Sequence, residues 1–258
     1  MTKFGIVVPQ HDITADEMLG AVHLAESSNL DSIWFADHLQ GRPHPGYLGG
    51  IAAPGAKGQG RGELLLPPNP PPRPILEGWS SLSAAAATTK RITIGMLAIR
   101  AGLRTPRLLA TMAATANAIA PGRITICLGI GDQTIHQEQT AYGIPFQPKP
   151  KRLNELTESV KTIKKETSEV RIWIGGVSNE LIEAATHIDG WNAWAPPEEF
   201  AQHVSTYREL GGSGEISWAG SHPGPETINS LITAGANHLI IATGSKNYAQ
   251  RINQLSTH

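Results

Sequence analysis

The feature that most constrains this chain is an alternation, kept up from one end to the other, of short apolar runs with stretches of helical period. Phe4 to Val8 is the first apolar run. A helix follows, opened by Thr14 with Glu17 three positions on, the Ser/Thr-x-x-Glu spacing of a capping box. Ser32 to Ala36 reads as a second strand, Leu76 to Thr89 as an Ala-rich helix, and Arg91 to Ala98 as a third strand. Pro106 opens a helix to about Ile119, Arg123 to Gly129 is a strand, Lys151 to Glu166 a charged helix, and Val170 to Ile174 a fifth strand. Three more helix and strand pairs follow: Asn179 to His187 with Trp191 to Trp194, Glu198 to Leu210 with Glu215 to Trp218, and Glu226 to Ala234 with His238 to Ala242. A last helix near Lys246 to Leu255 closes the count. Eight strands, each followed by a helix, predict an α/β fold, a single (β/α)8 TIM barrel over residues 1–258. A doubly wound open sheet is the alternative. It usually has about five to seven strands and a glycine-rich turn after the first, where this chain reads Pro9-Gln10-His11-Asp12.

Composition narrows the partners. With 21 basic and 22 acidic residues the formal charge is -1, so there is no basic field to draw the protein onto nucleic acid or an anionic membrane. Cys127 is the one cysteine, which excludes an internal disulfide and a cysteine-based metal cluster. The opening MTKFGIVVPQHD is too short in its apolar run for a signal peptide. No stretch approaches the roughly 20 apolar residues of a membrane span, and the expected location is the cytoplasm.

One segment breaks the rhythm. Between Gln40 and Pro74, Gly and Pro make up about half the residues, a composition that holds neither a regular helix nor a central strand. It leaves from the end of the second strand, the face on which barrels place their chemistry. Residues 40–74 are therefore expected to form a lid loop, a mobile surface insertion being the alternative.

In a barrel the functional residues sit immediately after the strands. The positions so selected are Gln10 and His11; Asp37, His38 and Gln40; Arg100 and Arg104; Gly131, Asp132 and Gln133; Gly175, Gly176, Val177 and Ser178; Trp194; Trp218, Ser221 and His222; and Thr243, Gly244 and Ser245. Asp37-His38 places an imidazole that titrates near neutrality beside a carboxylate, a pair able to move a proton. The plainer alternative is a histidine hydrogen-bonded to a neighbouring loop. Gly175-Gly176-Val177-Ser178 allows close backbone approach and a Ser at a helix start, which is phosphate-site chemistry, or else an ordinary tight turn. Thr243-Gly244-Ser245 competes for that role. Trp194 and Trp218 end strands and can face a planar ligand or simply pack. No histidine pair has metal-ligand spacing and no Gly-x-Ser-x-Gly is present, so neither a metal centre nor a serine hydrolase is expected.

These strand ends resemble the luciferase-like superfamily of flavin and deazaflavin oxidoreductases. The resemblance rests on Phe4 to Gln10, on Leu30 to Leu39 with its Asp37-His38 end, and on Pro121-Gly122-Arg123 through Gly131. It also rests on Ala141 to Phe146 followed by Lys151-Arg152 with Glu155 and Glu158, on Ile172 to Gly176, and on Asp189-Gly190-Trp191; it fades beyond Trp194. It implies a barrel holding coenzyme F420 or FMN at its mouth, the cofactor phosphate near Gly175 to Ser178. A bulged, often cis, peptide under the ring would fall at Leu97-Ala98. It further implies Gly131, Gln137 and Trp194 as cofactor contacts, His38 with Asp37 beside it as the catalytic group, and a homodimer. The position at which some members carry a carboxylate proton donor falls on Thr134, with Asp132 and Glu138 nearby. On Asp37-His38 and the Ile216 to Gly220 segment the deazaflavin is favoured, giving hydride transfer to or from a small organic substrate. An FMN-dependent monooxygenase is the alternative, and a catalytically silent barrel binding a ligand or partner the third.

Overall fold

A computed structural model describes residues 2–39, 47–48, 51–52, 75–132, 135–221 and 223–256. Eight parallel strands, β1 (Lys3–Val7), β2 (Ser32–Phe35), β5 (Thr93–Arg100), β6 (Ile124–Gly129), β7 (Arg171–Gly175), β8 (Gly190–Ala193), β9 (Glu215–Ser221) and β10 (His238–Ala242), close into a barrel. β3 (Tyr47–Leu48) and β4 (Ile51–Ala52) form a separate antiparallel pair. Apart from those four positions, the expected lid at 40–74 lies outside the described residues, as do Gln133, Thr134 and His222.

The helices cover the barrel in the expected order. They are α1 (Ala15–Ser27), α2 (Gly78–Thr88), α3 (Pro106–Ile119), α4 (His136–Ala141), α5 (Lys149–Glu166), α6 (Asn179–Ala185), α7 (Pro197–Glu209), α8 (Pro225–Thr233) and α9 (Tyr248–Leu255). α1 begins with the anticipated capping box: Thr14 accepts from the Glu17 N–H, and the Glu17 carboxylate accepts from the Thr14 N–H. α4 is additional, a short helix in the loop after the fourth barrel strand, where the sequence offered no apolar period. Among the described residues no helix is long and apolar enough to cross a membrane.

Alternation along each strand divides the core in two. Outward-facing side chains such as Ile33, Ile94, Ile126 and Ile172 pack beneath the helices, while Val7, Trp34, Leu97, Cys127, Trp173, Ala219 and Ile240 fill the barrel interior. The Trp34 and Trp173 rings stack there with centroids 4.9 Å apart. Two glycines make room for them: a Cβ on Gly95 would lie 2.3 Å from Trp34 Cζ3, and one on Gly190 2.6 Å from Trp173 Nε1. Trp218 belongs to the other compartment. β9 runs three residues beyond Trp218, so this residue lies within the strand, buried in the outer core with Nε1 donating to Ala195 O at 2.9 Å. The expectation that Trp218 could face a planar ligand is therefore corrected.

Candidate active site

The carboxyl ends of β2, β5 and β6 converge on one polar cluster. At the end of β2, Asp37 and His38 point to different partners, as neighbours in an extended chain do. Asp37 Oδ2 accepts from the Arg100 backbone N–H at 3.1 Å and from Arg104 Nη1 at 2.9 Å. His38 Nδ1 lies instead 3.0 Å from Glu138 Oε2. The expected Asp37-His38 pair thus does not form. Its place is taken by a carboxylate from α4, one hundred positions away in the chain.

Glu138 is tied down from three sides. Its Oε1 accepts from the Leu39 N–H at 2.6 Å and from Arg100 Nη2 at 2.9 Å, and Arg100 Nη2 also reaches the Asp37 carbonyl at 2.5 Å. Burial by itself would push the Glu138 carboxyl up. The His38 hydrogen bond and charge, the Arg100 guanidinium and the Leu39 N–H together outweigh burial and hold it at about 2. A carboxyl so low is an ionised acceptor at neutral pH and not a proton donor. Arg104 extends the network to Glu77, which caps α2 through the Trp79 and Ser80 N–H groups.

Beside this cluster opens a cavity of about 170 Å³ lined by Asp37, His38, Leu97, Ala98, Arg100 and Gly131, among others. The expected bulge is present: the Leu97–Ala98 peptide is cis and the β5–β6 register shifts between Leu97 and Ile99. A Cβ on Gly129 would come within 3.3 Å of Ala98 Cβ, and one on Gly175 within 3.6 Å of it. Three successive strand ends therefore form a floor with nothing larger than a methyl group on it. Trp194 packs with Ala98 against the barrel-interior cluster. Gly131 (φ +65°) turns the chain out of β6, and its carbonyl and that of Ile130 are gripped by Arg152 Nη1 at 2.6 and 2.5 Å.

The loop after β7 departs in detail from its sequence reading. Gly176 (φ +127°) donates its N–H to Asn192 O at 3.0 Å, and its carbonyl accepts from Trp191 Nε1 at 2.8 Å, so this backbone is occupied by the fold. The Val177 side chain packs into the outer core. Ser178 caps no N–H of α6, and its buried Oγ has no hydrogen-bond partner of good geometry. Gln137 lies exposed on α4 and is not among the residues lining the cavity. Glu138 and Arg100 are the groups whose roles sequence reasoning missed. Each was visible as a residue near a strand end, but neither contact is signalled by local spacing.

The profile of the luciferase-like monooxygenase family matches residues 2–215, most of the chain. The chain belongs to that family. Within the family it is 29% identical over 197 residues to an F420-dependent glucose-6-phosphate dehydrogenase of Kineococcus radiotolerans, a match covering 76% of this chain and 47% of the relative. The chain thus spans about half the length of the curated relatives it matches. Among solved structures, an F420-dependent secondary alcohol dehydrogenase in complex with an F420-acetone adduct superposes with TM-score 0.72 at 15% identity, covering 100% of this chain and 99% of that one. The oxygenating constituent of 3,6-diketocamphane monooxygenase of Pseudomonas putida, in complex with FMN, gives 0.68 at 14% identity, with 99% and 96% covered. These two likenesses establish the luciferase-like barrel fold and are shared by both cofactors.

Proposed function

We propose that this luciferase-like protein is a coenzyme F420-dependent oxidoreductase that moves a hydride between the deazaflavin and a small organic substrate at the barrel mouth. The observation that carries the reading is the juxtaposition of His38, fixed by Glu138 and Arg100, with the small-residue floor of Ala98, Gly129 and Gly175. The curated relatives named as F420-dependent dehydrogenases support it.

The residues present suit the group. A flat ring needs a floor without projecting side chains, which Ala98, Gly129 and Gly175 supply. Ser178 Oγ, buried and unpartnered, and the backbone beyond Gly176 are the groups that would meet a phosphate. When bound, the deazaflavin supplies a carbon that gives or takes a hydride. Glu138, ionised, faces His38 Nδ1 at 3.0 Å and fixes the orientation of the ring. His38 would take a proton from, or return one to, the substrate. Arg100 holds Glu138 and the Asp37 carbonyl together, and so sets the depth of His38 in the mouth. Asp37, bound to Arg104, serves to orient that strand end.

An FMN-dependent monooxygenase is the second reading, favoured by the FMN complex that shares this fold. Parallel titration of the protein with coenzyme F420 and with FMN, followed by cofactor fluorescence, separates the two. Selective micromolar binding of F420 is the expected result. Selective FMN binding transfers the protein to oxygen chemistry, and binding of neither removes the oxidoreductase reading. The reading includes a single barrel unit over 1–258 and a homodimer, which light scattering after size exclusion would test.

A further inference from the structure

A second cavity, of about 210 Å³, lies at the opposite end of the barrel, where the strands begin. Lys3, Thr93, Arg171 and His238 are the first residues of β1, β5, β7 and β10, and Thr125 is the second of β6. Trp34 and Trp173, stacked across the interior, line it from above. Nothing in the mouth chemistry uses this end.

Its hydrogen bonds can be accounted for almost completely. Glu215 Oε1 accepts from Lys3 Nζ at 3.1 Å and lies 2.9 Å from His238 Nδ1, and its Oε2 is bound by Arg171 Nη2. Burial pushes the His238 imidazole down, against the pull of Glu215 on its Nδ1 side. Ser32 Oγ lies 2.7 Å from His238 Nε2 and accepts from Trp34 Nε1 at 2.8 Å. Asp31 Oδ2 accepts from the Phe4 N–H, and the Arg91 guanidinium donates to the carbonyls of Glu26, Ser28 and Leu30. Two fully buried side-chain groups are left over. Trp173 Nε1 and Thr125 Oγ1 are buried without any partner, and both residues line the cavity.

The imbalance has a sign. An indole N–H can only donate, and a hydroxyl can donate. Lys3, Arg91 and Arg171 are the cations lining the cavity and Asp31 the carboxylate, with Glu215 bound between Lys3 and Arg171. Surplus donors with surplus positive charge call for an acceptor that is itself negative. Both cations are partly exposed, Lys3 by 44% and Arg171 by 37% of the side chain, so the cavity is reachable from solvent.

We propose that the strand-start end of the barrel is a binding site for a small oxyanion of the phosphate or sulfate type. Lys3 and Arg171 supply the charge, and Thr125 Oγ1 and Trp173 Nε1 the neutral donors. The site is independent of the cofactor reading, because the stacked indoles stand between it and the mouth.

The test is titration of the protein with sodium phosphate against sodium chloride at matched ionic strength and pH, read by tryptophan fluorescence and by the thermal midpoint. A saturable response to phosphate alone is expected. Arg171→Gln should weaken it about tenfold or more, the loss of a charge-assisted hydrogen bond, and Thr125→Val should weaken it about threefold or more. Ser178→Ala, at the mouth, should leave it unchanged. If Arg171→Gln fails to fold for want of its grip on Glu215, the nearly isosteric Thr125→Val carries the decision. The proposal is overturned if chloride gives the same response or no saturable response is seen. It is equally overturned if the response survives Thr125→Val and vanishes in Ser178→Ala.

Discussion

Glu138 Oε2 lies 3.0 Å from His38 Nδ1, and the same carboxylate receives the backbone N–H of Leu39, the residue that follows the histidine. One side chain of a short helix thus holds both the ring and the main chain of the second strand's end. Tyr142, just beyond that helix, adds a hydroxyl bond to Leu39 O at 2.6 Å. The orientation of His38 is consequently set in part by α4.

If that orientation serves proton transfer, removing either partner should cost rate and spare cofactor binding. His38→Ala is expected to lower kcat by about 10²-fold or more while cofactor Kd stays within about tenfold. Glu138→Gln, which keeps the shape and removes the charge, should lower kcat by about tenfold or more with a similar Kd. Single-turnover kinetics beside fluorescence titration give both numbers, and full turnover by the His38 variant would remove it from the mechanism.

Acid should expose the same networks. Glu138 and Glu215 are each held at about 2 in the fold, against an ordinary value of 4.5. A carboxyl lowered on folding contributes stability that is fully present above its unfolded value and is lost as pH falls toward the folded one. Unfolding free energy by urea should therefore decline between about pH 5 and pH 2. Glu138→Gln and Glu215→Gln should each flatten that decline. A slope unchanged in both variants would show that these two groups do not carry it.

The barrel interior has no slack at its glycines. Gly95→Ala would drive a Cβ into the Trp34 ring, itself fixed by Trp173, and should cost about 1–3 kcal/mol of stability. Chemical denaturation measures this directly. A neutral result would mean that the indole pair moves aside easily.

Gly176→Val and Ser178→Ala should part company. Gly176 sits at φ +127° with Leu181 Cδ1 2.5 Å from where a Cβ would be, so valine there should lower the thermal midpoint before it says anything about ligand. Ser178→Ala removes a single hydroxyl that caps no N–H of α6. It should leave the midpoint nearly unchanged and weaken cofactor binding by about tenfold. Equal cofactor affinity in Ser178→Ala would exclude its hydroxyl from the phosphate contact.

Some of this was legible in the chain because it is local. The capping box of Thr14 and Glu17 spans three positions, and the apolar period that marks each strand spans five or six. The register shift and cis peptide fell where the resemblance implied, at Leu97-Ala98. Gly175 and Gly176 suggest close backbone approach in the sequence, and only the structure shows the Gly176 N–H taken up by Asn192 of the next strand. Trp218 was read as a strand end, but β9 continues to Ser221 and the alternation turns its ring outward.

The sequence by itself determined the repeat, and with it a closed barrel whose strand ends form the mouth. Each element declares itself through a period of a few residues, and eight of them in order leave few other ways to bury their faces. Tertiary structure alone decided that His38 answers to Glu138 and not to Asp37, and that Arg100 binds them into one cluster. Those partners are brought together by closure of the barrel, and their strength depends on burial and on distances of about three ångströms that no spacing along the chain encodes.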